Sequence, residues 1–173
     1  MIQFNITVST FPYEETPITQ KFTLPMAFDE LAEKTKVFGQ KEFYIADIVD
    51  SYGFHIHEYT NLHLLNEFVA FLNNSGLDVE TVKALATVED TNLDRIREII
   101  EEETYQILPA ANVYADHEED LGYTLYKEGM LNEDLPEDLV DKGYINFTGI
   151  GRDYSINQSW EYFSSLEVYA RTW

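Results

Sequence analysis

Asp94, Glu98, Glu101 and Glu102 recur at helical spacing. At 100° per residue they fall within a wedge of about 100°, with Leu93, Ile96, Ile99 and Ile100 on the other side. An i to i+4 step rises about 6 Å, so the wedge presents carboxylates in a row spaced much like phosphates along a strand. Arg95 and Arg97 flank the row and neutralise only part of it, since an exposed ion pair contributes under about 1 kcal/mol. Three further clusters extend the theme: Asp116/Glu118/Glu119/Asp120, Glu133/Asp134 and Glu137/Asp138/Asp141. From Glu89 to Asp141 the chain holds 17 Asp and Glu against Arg95, Arg97 and Lys127, a net −14 of the total −21. Self-repulsion on this scale destabilises a compact state and exceeds what solubility asks of a small domain, so the charge itself is expected to have a function. The plainer reading is a solvated face.

Other chemistries are weakly supported. His55-Ile-His57, with Glu58 and His63 nearby, would set two imidazoles on one face of a strand as a metal pair. Solvated or core histidines at a strand end account for them more simply, and His117 is remote in sequence. Asp116-x-Glu118-x-Asp120 resembles the start of a calcium loop, but Leu121 stands where an EF-hand needs Gly and Lys127 where it needs a bidentate Glu. Gly149-Ile-Gly151 lacks the third glycine of a dinucleotide loop and is followed by Arg152-Asp153-Tyr154, which reads as a turn or bulge. No nucleophile with a local base and orienting acid stands out. With 32 acids some pair always suits glycoside hydrolysis, so carboxylate pairs carry no signal. The expectation is a protein that is not an enzyme and needs no metal or cofactor.

Acidic chains are often disordered, yet this one is 45% hydrophobic with 11 Phe, 12 Tyr and two Trp, enough to build a core. The absence of cysteine excludes disulfides and thiolate sites and fits a reducing compartment. The amino-terminal residues lack a basic signal-peptide region and no stretch approaches 18 apolar residues, so a cytoplasmic, non-membrane protein is expected. A pI near 4.2 argues against binding DNA, RNA or anionic lipid, and any electrostatic partner should be basic.

The elements that must carry the acids follow from periodicity. Ile2, Phe4, Ile6 and Val8 alternate with polar residues as in a half-buried strand. Pro12 to Pro17 reads as a loop, Lys21 to Leu24 as a second strand, and Pro25 opens a helix with Phe28, Leu31 and Ala32 on one face, ending near Gly39. Glu42 to Val49 returns to strand. Leu62, Leu65, Phe68, Val69 and Leu72 then mark a helix stopped at Gly76. Val79, Val82, Leu85 and Ala86 mark another, and a third begins after Thr91 with a capping box to Asp94. Beyond it come irregular chain from Gln106 leading to a strand near Ala115, a helix over Asp120 to Lys127 and a brief helix from Glu137 to Lys142. Strands are expected at Tyr144 to Phe147 and at Ser164 to Arg171, the latter with Leu166 and Val168 opposite Glu167 and Tyr169. The fold class is α+β, in three small domains: 1–59 sheet plus helix, 60–103 helical, and 104–173 sheet plus helix.

Leu135-Pro-Glu-Asp-Leu-Val-Asp-Lys-Gly-Tyr-Ile-Asn-Phe-Thr-Gly-Ile-Gly-Arg-Asp resembles the motif of the ArdA antirestriction family. Tyr144, Ile145, Phe147, Gly151, Arg152 and Asp153 match it, while Asn146 stands in place of the usual Asp and Ile150 in place of an aromatic or Met. Phe22-Thr-Leu-Pro-Met-Ala-Phe-Asp-Glu-Leu and Glu58-Tyr-Thr-Asn-Leu-His-Leu-Leu-Asn are similar to the family's early strand-to-helix turn and its lead into the middle helices. The likeness runs from about residue 20 to 157.

The resemblance implies an inhibitor of type I restriction-modification enzymes, borne by conjugative elements or phages, that imitates bent B-form DNA and occupies the enzyme's DNA-binding groove. It also implies an elongated homodimer paired through the third domain. Two chains would carry twice −21, and at one charge per about 1.7 Å this matches roughly 70 Å of duplex. Asp94, Glu98, Glu101, Glu102, Asp116, Glu118, Glu119, Asp120, Glu133, Asp134, Glu137, Asp138 and Asp141 are the expected mimic surface. Val113, Tyr144, Ile145, Phe147, Gly151, Arg152 and Asp153 are expected to serve fold or dimer, with a strand edge near Val113 or Tyr144 to Phe147 as the contact and Arg152 paired to Asp153. An acidic adaptor for a basic, nucleoid-type protein is the alternative.

Overall fold

The computed structural model describes residues 1–11, 16–88, 92–131 and 134–173, and the chain forms two compact units, Met1–Ile100 and Glu101–Trp173. The first opens with an antiparallel sheet in the order β2-β1-β3, from β1 (Phe4–Thr10), β2 (Thr19–Leu24) and β3 (Phe43–Val49). Phe4, Ile6 and Val8 are buried on the face that the alternation assigned them. Between β2 and β3 lie helix α1 (Phe28–Thr35) and a 3-10 turn, Lys36–Phe38, ended by Gly39 at φ 60°. Of the three residues expected to face inward from α1, Leu31 is buried but Phe28 is 66% exposed. Phe38, on the 3-10 turn, is buried in the core.

Three helices complete this unit: α2 (Leu62–Asn74), α3 (Val79–Val88) and α4 (Leu93–Glu101). The apolar stripe of α2 is buried as its period requires. Two asparagines on that helix, seven residues apart and so on one face, tie it to the sheet-bearing part of the unit. The Asn66 side chain accepts from the Met26 N–H (2.8 Å) and donates to the Met26 carbonyl (3.0 Å). Asn73 does the same to Ile2, at 2.7 and 2.8 Å. Each amide satisfies a backbone donor and acceptor as a neighbouring strand would. The start of α3 is held by Asp78, which accepts from the Thr81 N–H and hydroxyl; these bonds favour the carboxylate and lower its pKa. At the start of α4 the cap is Asn92, which accepts from the N–H groups of Asp94 and Arg95. The expected Thr91 capping box, like Pro12 in the first loop, lies outside the described residues.

The second unit departs further from expectation. Its sheet, in the order β4-β6-β5, is built from β4 (Tyr105–Pro109), β5 (Glu161–Phe163) and β6 (Val168–Thr172), all antiparallel. The strand therefore precedes the irregular stretch around Val113 rather than following it. Ser164 to Glu167 forms the turn between β5 and β6, with Glu167 at φ 52°. Tyr169 is buried, against the expectation that it faces outward with Glu167. Leu121, Leu125, Trp160 and Tyr169 form the core here, joined by Leu108 and Tyr162.

Helices α5 (His117–Lys127), α6 (Glu137–Asp141) and α7 (Phe147–Gln158) accompany this sheet. The segment expected as a Tyr144 to Phe147 strand instead leads into α7. Asn146 caps that helix, its side chain accepting from the Gly149 N–H at 3.0 Å. Gly149 and Gly151, expected in a turn or bulge, are helical. Glycine costs a helix interior about 1 kcal/mol relative to Ala, so a tertiary gain must outweigh that penalty. The gain is backbone contact between α5 and α7. A Cβ on Gly151 would lie 1.7 Å from the Glu118 carbonyl oxygen, and one on Gly122 would lie 2.2 Å from that of Phe147.

The crossing yields a prediction in which two effects have opposite signs. Gly151→Ala gains about 1 kcal/mol of helix propensity but must push two helix backbones apart. Net destabilisation of about 2 kcal/mol or more is expected from the overpacking, read as a lower midpoint in thermal or urea unfolding. A stability equal to or above wild type would show that the helices separate at no cost.

Candidate acidic interface

Helix α4 carries its charge as the periodicity requires: Ile96, Ile99 and Ile100 are buried, while Asp94, Glu98 and Glu101 are exposed. The helix ends at Glu101, so Glu102, expected on its face, lies outside the helix in the following turn, and Glu103 takes φ 53°. Arg95 reaches Glu98 at 3.4 Å, with both side chains open to solvent. Arg97 turns the other way and lies over the Phe71 ring at 5.0 Å. One guanidinium is thus held against an aromatic face, and the carboxylate row keeps most of its charge.

The cluster at the start of α5 divides into different tasks. Asp116 caps the helix, accepting from the Glu119 N–H at 2.9 Å. Glu118 is exposed and Glu119 half-buried, and both add negative charge to the first turn, where the helix dipole favours it. Asp120 is not a surface acid: it is 2% exposed. Its Oδ1 accepts from the N–H groups of Val113 (2.8 Å) and Tyr114 (3.2 Å), and its Oδ2 from the Asn112 N–H and the Tyr169 hydroxyl, both at 3.2 Å. It therefore holds the 112–114 segment against the core and leaves the list of expected mimic residues. The phenolic proton of Tyr169 is shared with the His117 carbonyl oxygen at 3.0 Å. Burial first, then the adjacent Asp120 charge, raises the pKa of that phenol.

Asp134, Glu137, Asp138 and Asp141 are exposed, and Asp138 pairs with Lys142 at 3.2 Å. Glu133 lies outside the described residues. Of the motif residues, Phe147 and Gly151 are buried, Ile145 is half-buried, and Tyr144 is 75% exposed. Val113 is also exposed, but neither it nor Tyr144 belongs to a strand, so the exposed residues expected at a strand edge lie outside the sheet. Arg152 and Asp153 are both exposed, and among the described residues Arg152 makes no ion pair.

The remaining sequence candidates do not assemble into a site. His55 and His57 are exposed on a segment without regular structure, and the Nδ1 of His57 accepts from the Tyr59 N–H at 3.2 Å. His117 stacks on Tyr162 with 4.0 Å between ring centres. The Asp116-Glu118-Asp120 run lies at a helix start rather than in a calcium loop. Among the described residues no group of three His, Asp or Glu side chains could hold a metal, and no helix is long and apolar enough to cross a membrane.

The class these features define is an acidic α+β protein whose exposed carboxylates outnumber their cationic partners. The ArdA antirestriction protein family matches residues 16–165, and the chain belongs to that family. No curated protein matches it, and no solved structure does.

Two predictions follow from the buried carboxylate. In Asp120→Asn, whichever way the amide is turned, one edge presents N–H donors to groups that are themselves donors. A loss of about 2–3 kcal/mol is expected from unsatisfied buried groups, against under about 1 kcal/mol for Glu118→Gln, both measured by urea unfolding. Because the Tyr169 phenol has its pKa raised in the fold, its contribution is complete below pH 10, the ordinary value, and is lost as pH climbs beyond it. The urea midpoint should therefore fall as pH rises above 10 and fall less steeply there in Tyr169→Phe; identical slopes would remove Tyr169 as the cause.

Proposed function

We propose that this antirestriction protein acts as a DNA mimic, its exposed carboxylates occupying the DNA-binding groove of a type I restriction-modification enzyme. The observation that carries the reading is the row Asp94, Glu98 and Glu101 on one face of α4, of which, among the described residues, only Glu98 is ion-paired to an arginine. Glu102, Asp116, Glu118, Glu119, Asp134, Glu137, Asp138 and Asp141 supply further negative charge. Glu133 is kept in the proposal on sequence grounds alone. Proteins that grip DNA gain affinity by releasing counterions from phosphate. Carboxylates held on folded elements can take the same Lys and Arg contacts while offering no base edge and no scissile bond. The mechanism is competitive occupancy, with no bond made or broken. A homodimer in a bacterial host cell is part of the proposal, with the exposed Val113 and Tyr144 as contact residues.

Competition tests this reading. A type I enzyme titrated with the protein should release labelled cognate DNA, and inhibition should weaken as salt rises. The salt dependence should be shallower than for DNA, because separated carboxylates condense fewer counterions than a polyphosphate. A single exchange such as Glu102→Gln should cost under about 1 kcal/mol. If protein and DNA bound together at every salt concentration, the acidic-adaptor reading would replace this one.

A further inference from the structure

Within the first unit, α2 and the start of α4 enclose a notch of about 230 Å³. That is below the range of a small-molecule site, about 300 Å³ upward, and suits a single side chain. Its walls are Leu64, Phe68 and Leu93, with Glu67 and Asp94 among the lining residues. Leu64 is 63% exposed, and both carboxylates are exposed. Among the described residues neither Glu67 nor Asp94 has an ion-pair partner. Arg97 also lines the notch, but its guanidinium lies over Phe71. Two acids against one arginine leave the lining with one uncompensated negative charge.

Apolar walls beside free carboxylates match one kind of side chain, a cation on a long aliphatic stem. We propose that this notch is a socket for one arginine or lysine side chain of the basic protein surface that the acidic face engages. The stem lies on Leu64, Phe68 and Leu93 and the charge sits against Glu67 and Asp94. The proposal rests on the mimic reading and deepens it, since Asp94 belongs to both the row on α4 and the socket. It also adds Glu67, on a different helix, to the interface. A cation in this socket gains apolar burial that a contact to phosphate does not supply.

The first test needs no enzyme. The full chain, with leucine methyls labelled for NMR, is titrated with butylguanidinium at millimolar concentration. The Leu64 and Leu93 methyls should shift together and saturate, and unsubstituted guanidinium should need at least fivefold more. Glu67→Gln, which alters an exposed side chain, should keep the wild-type thermal midpoint and weaken butylguanidinium at least threefold. Unmoved methyls, or a binding constant unchanged in Glu67→Gln, would overturn the socket. The second test uses a type I enzyme. Glu67→Gln should raise the half-inhibitory concentration at least threefold more than Asp29→Asn, an exposed acid on α1 that does not line the notch. Equal effects would overturn the socket and leave the mimic reading intact. A wild-type protein that displaced no DNA would overturn the mimic reading, and the methyl titration would still decide the socket.

Discussion

A chain with 32 acidic and 11 basic residues cannot neutralise itself, and every other feature of the fold answers to that constraint. Net repulsion opposes compaction, so the forces that close the fold are those that need no opposite charge. The ion pairs found along its helices join exposed residues three or four apart, an arrangement of small net value. What holds each unit together internally is apolar burial, hydrogen bonds of neutral amides and direct backbone contact. Asn66 and Asn73 fasten α2 with uncharged hydrogen bonds, and Gly122 and Gly151 let two helices touch backbone to backbone.

Two of the arginines, Arg97 and Arg171, fit the same logic. Arg97 lies over Phe71, and Arg171 lies 5.0 Å from the rings of both Trp160 and Trp173 while donating to the side-chain oxygens of Gln106 and Gln158. Partial burial lowers the pKa of that guanidinium. Cations held by aromatic faces and amides are not drawn into pairing with acids. Surface carboxylates consequently stay open to whatever basic surface approaches them.

Much of the first unit was legible because burial there follows simple periods: two for β1, and three or four for α2. The second unit was less so, for reasons visible in single residues. Tyr144-Ile-Asn-Phe has strand composition, but Asn146 is a helix cap, and only its place three residues before the Gly149 N–H reveals this. Gly149 and Gly151 look like turn glycines because their helix propensity is poor. The close approach of α5 that makes Gly151 fit is a tertiary fact with no local trace. Asn66 and Asn73 give little local signal because an amide inside an apolar stripe reads as noise, although their separation of seven residues places them on one helical face.

Asp120 shows why charge alone cannot define an interface. In sequence it is the fourth acid of a cluster and indistinguishable from Glu118 and Glu119. Its helical neighbours carry the signal: Leu121, Thr124 and Leu125 are all buried, and a residue at i−4 from Thr124 must share that inward face. A carboxylate forced inside needs donors, and the 112–114 backbone and Tyr169 provide them. The same consideration sorts the rest of the acidic residues. A carboxylate whose oxygens are taken up by its own fold, as in Asp120, Asp116 or Asp78, is committed to structure in whole or in part. Those on α4 with only solvent beyond them are available to a partner. The acids the fold leaves unused, those open to a proposed partner, are therefore a smaller set than the composition implies.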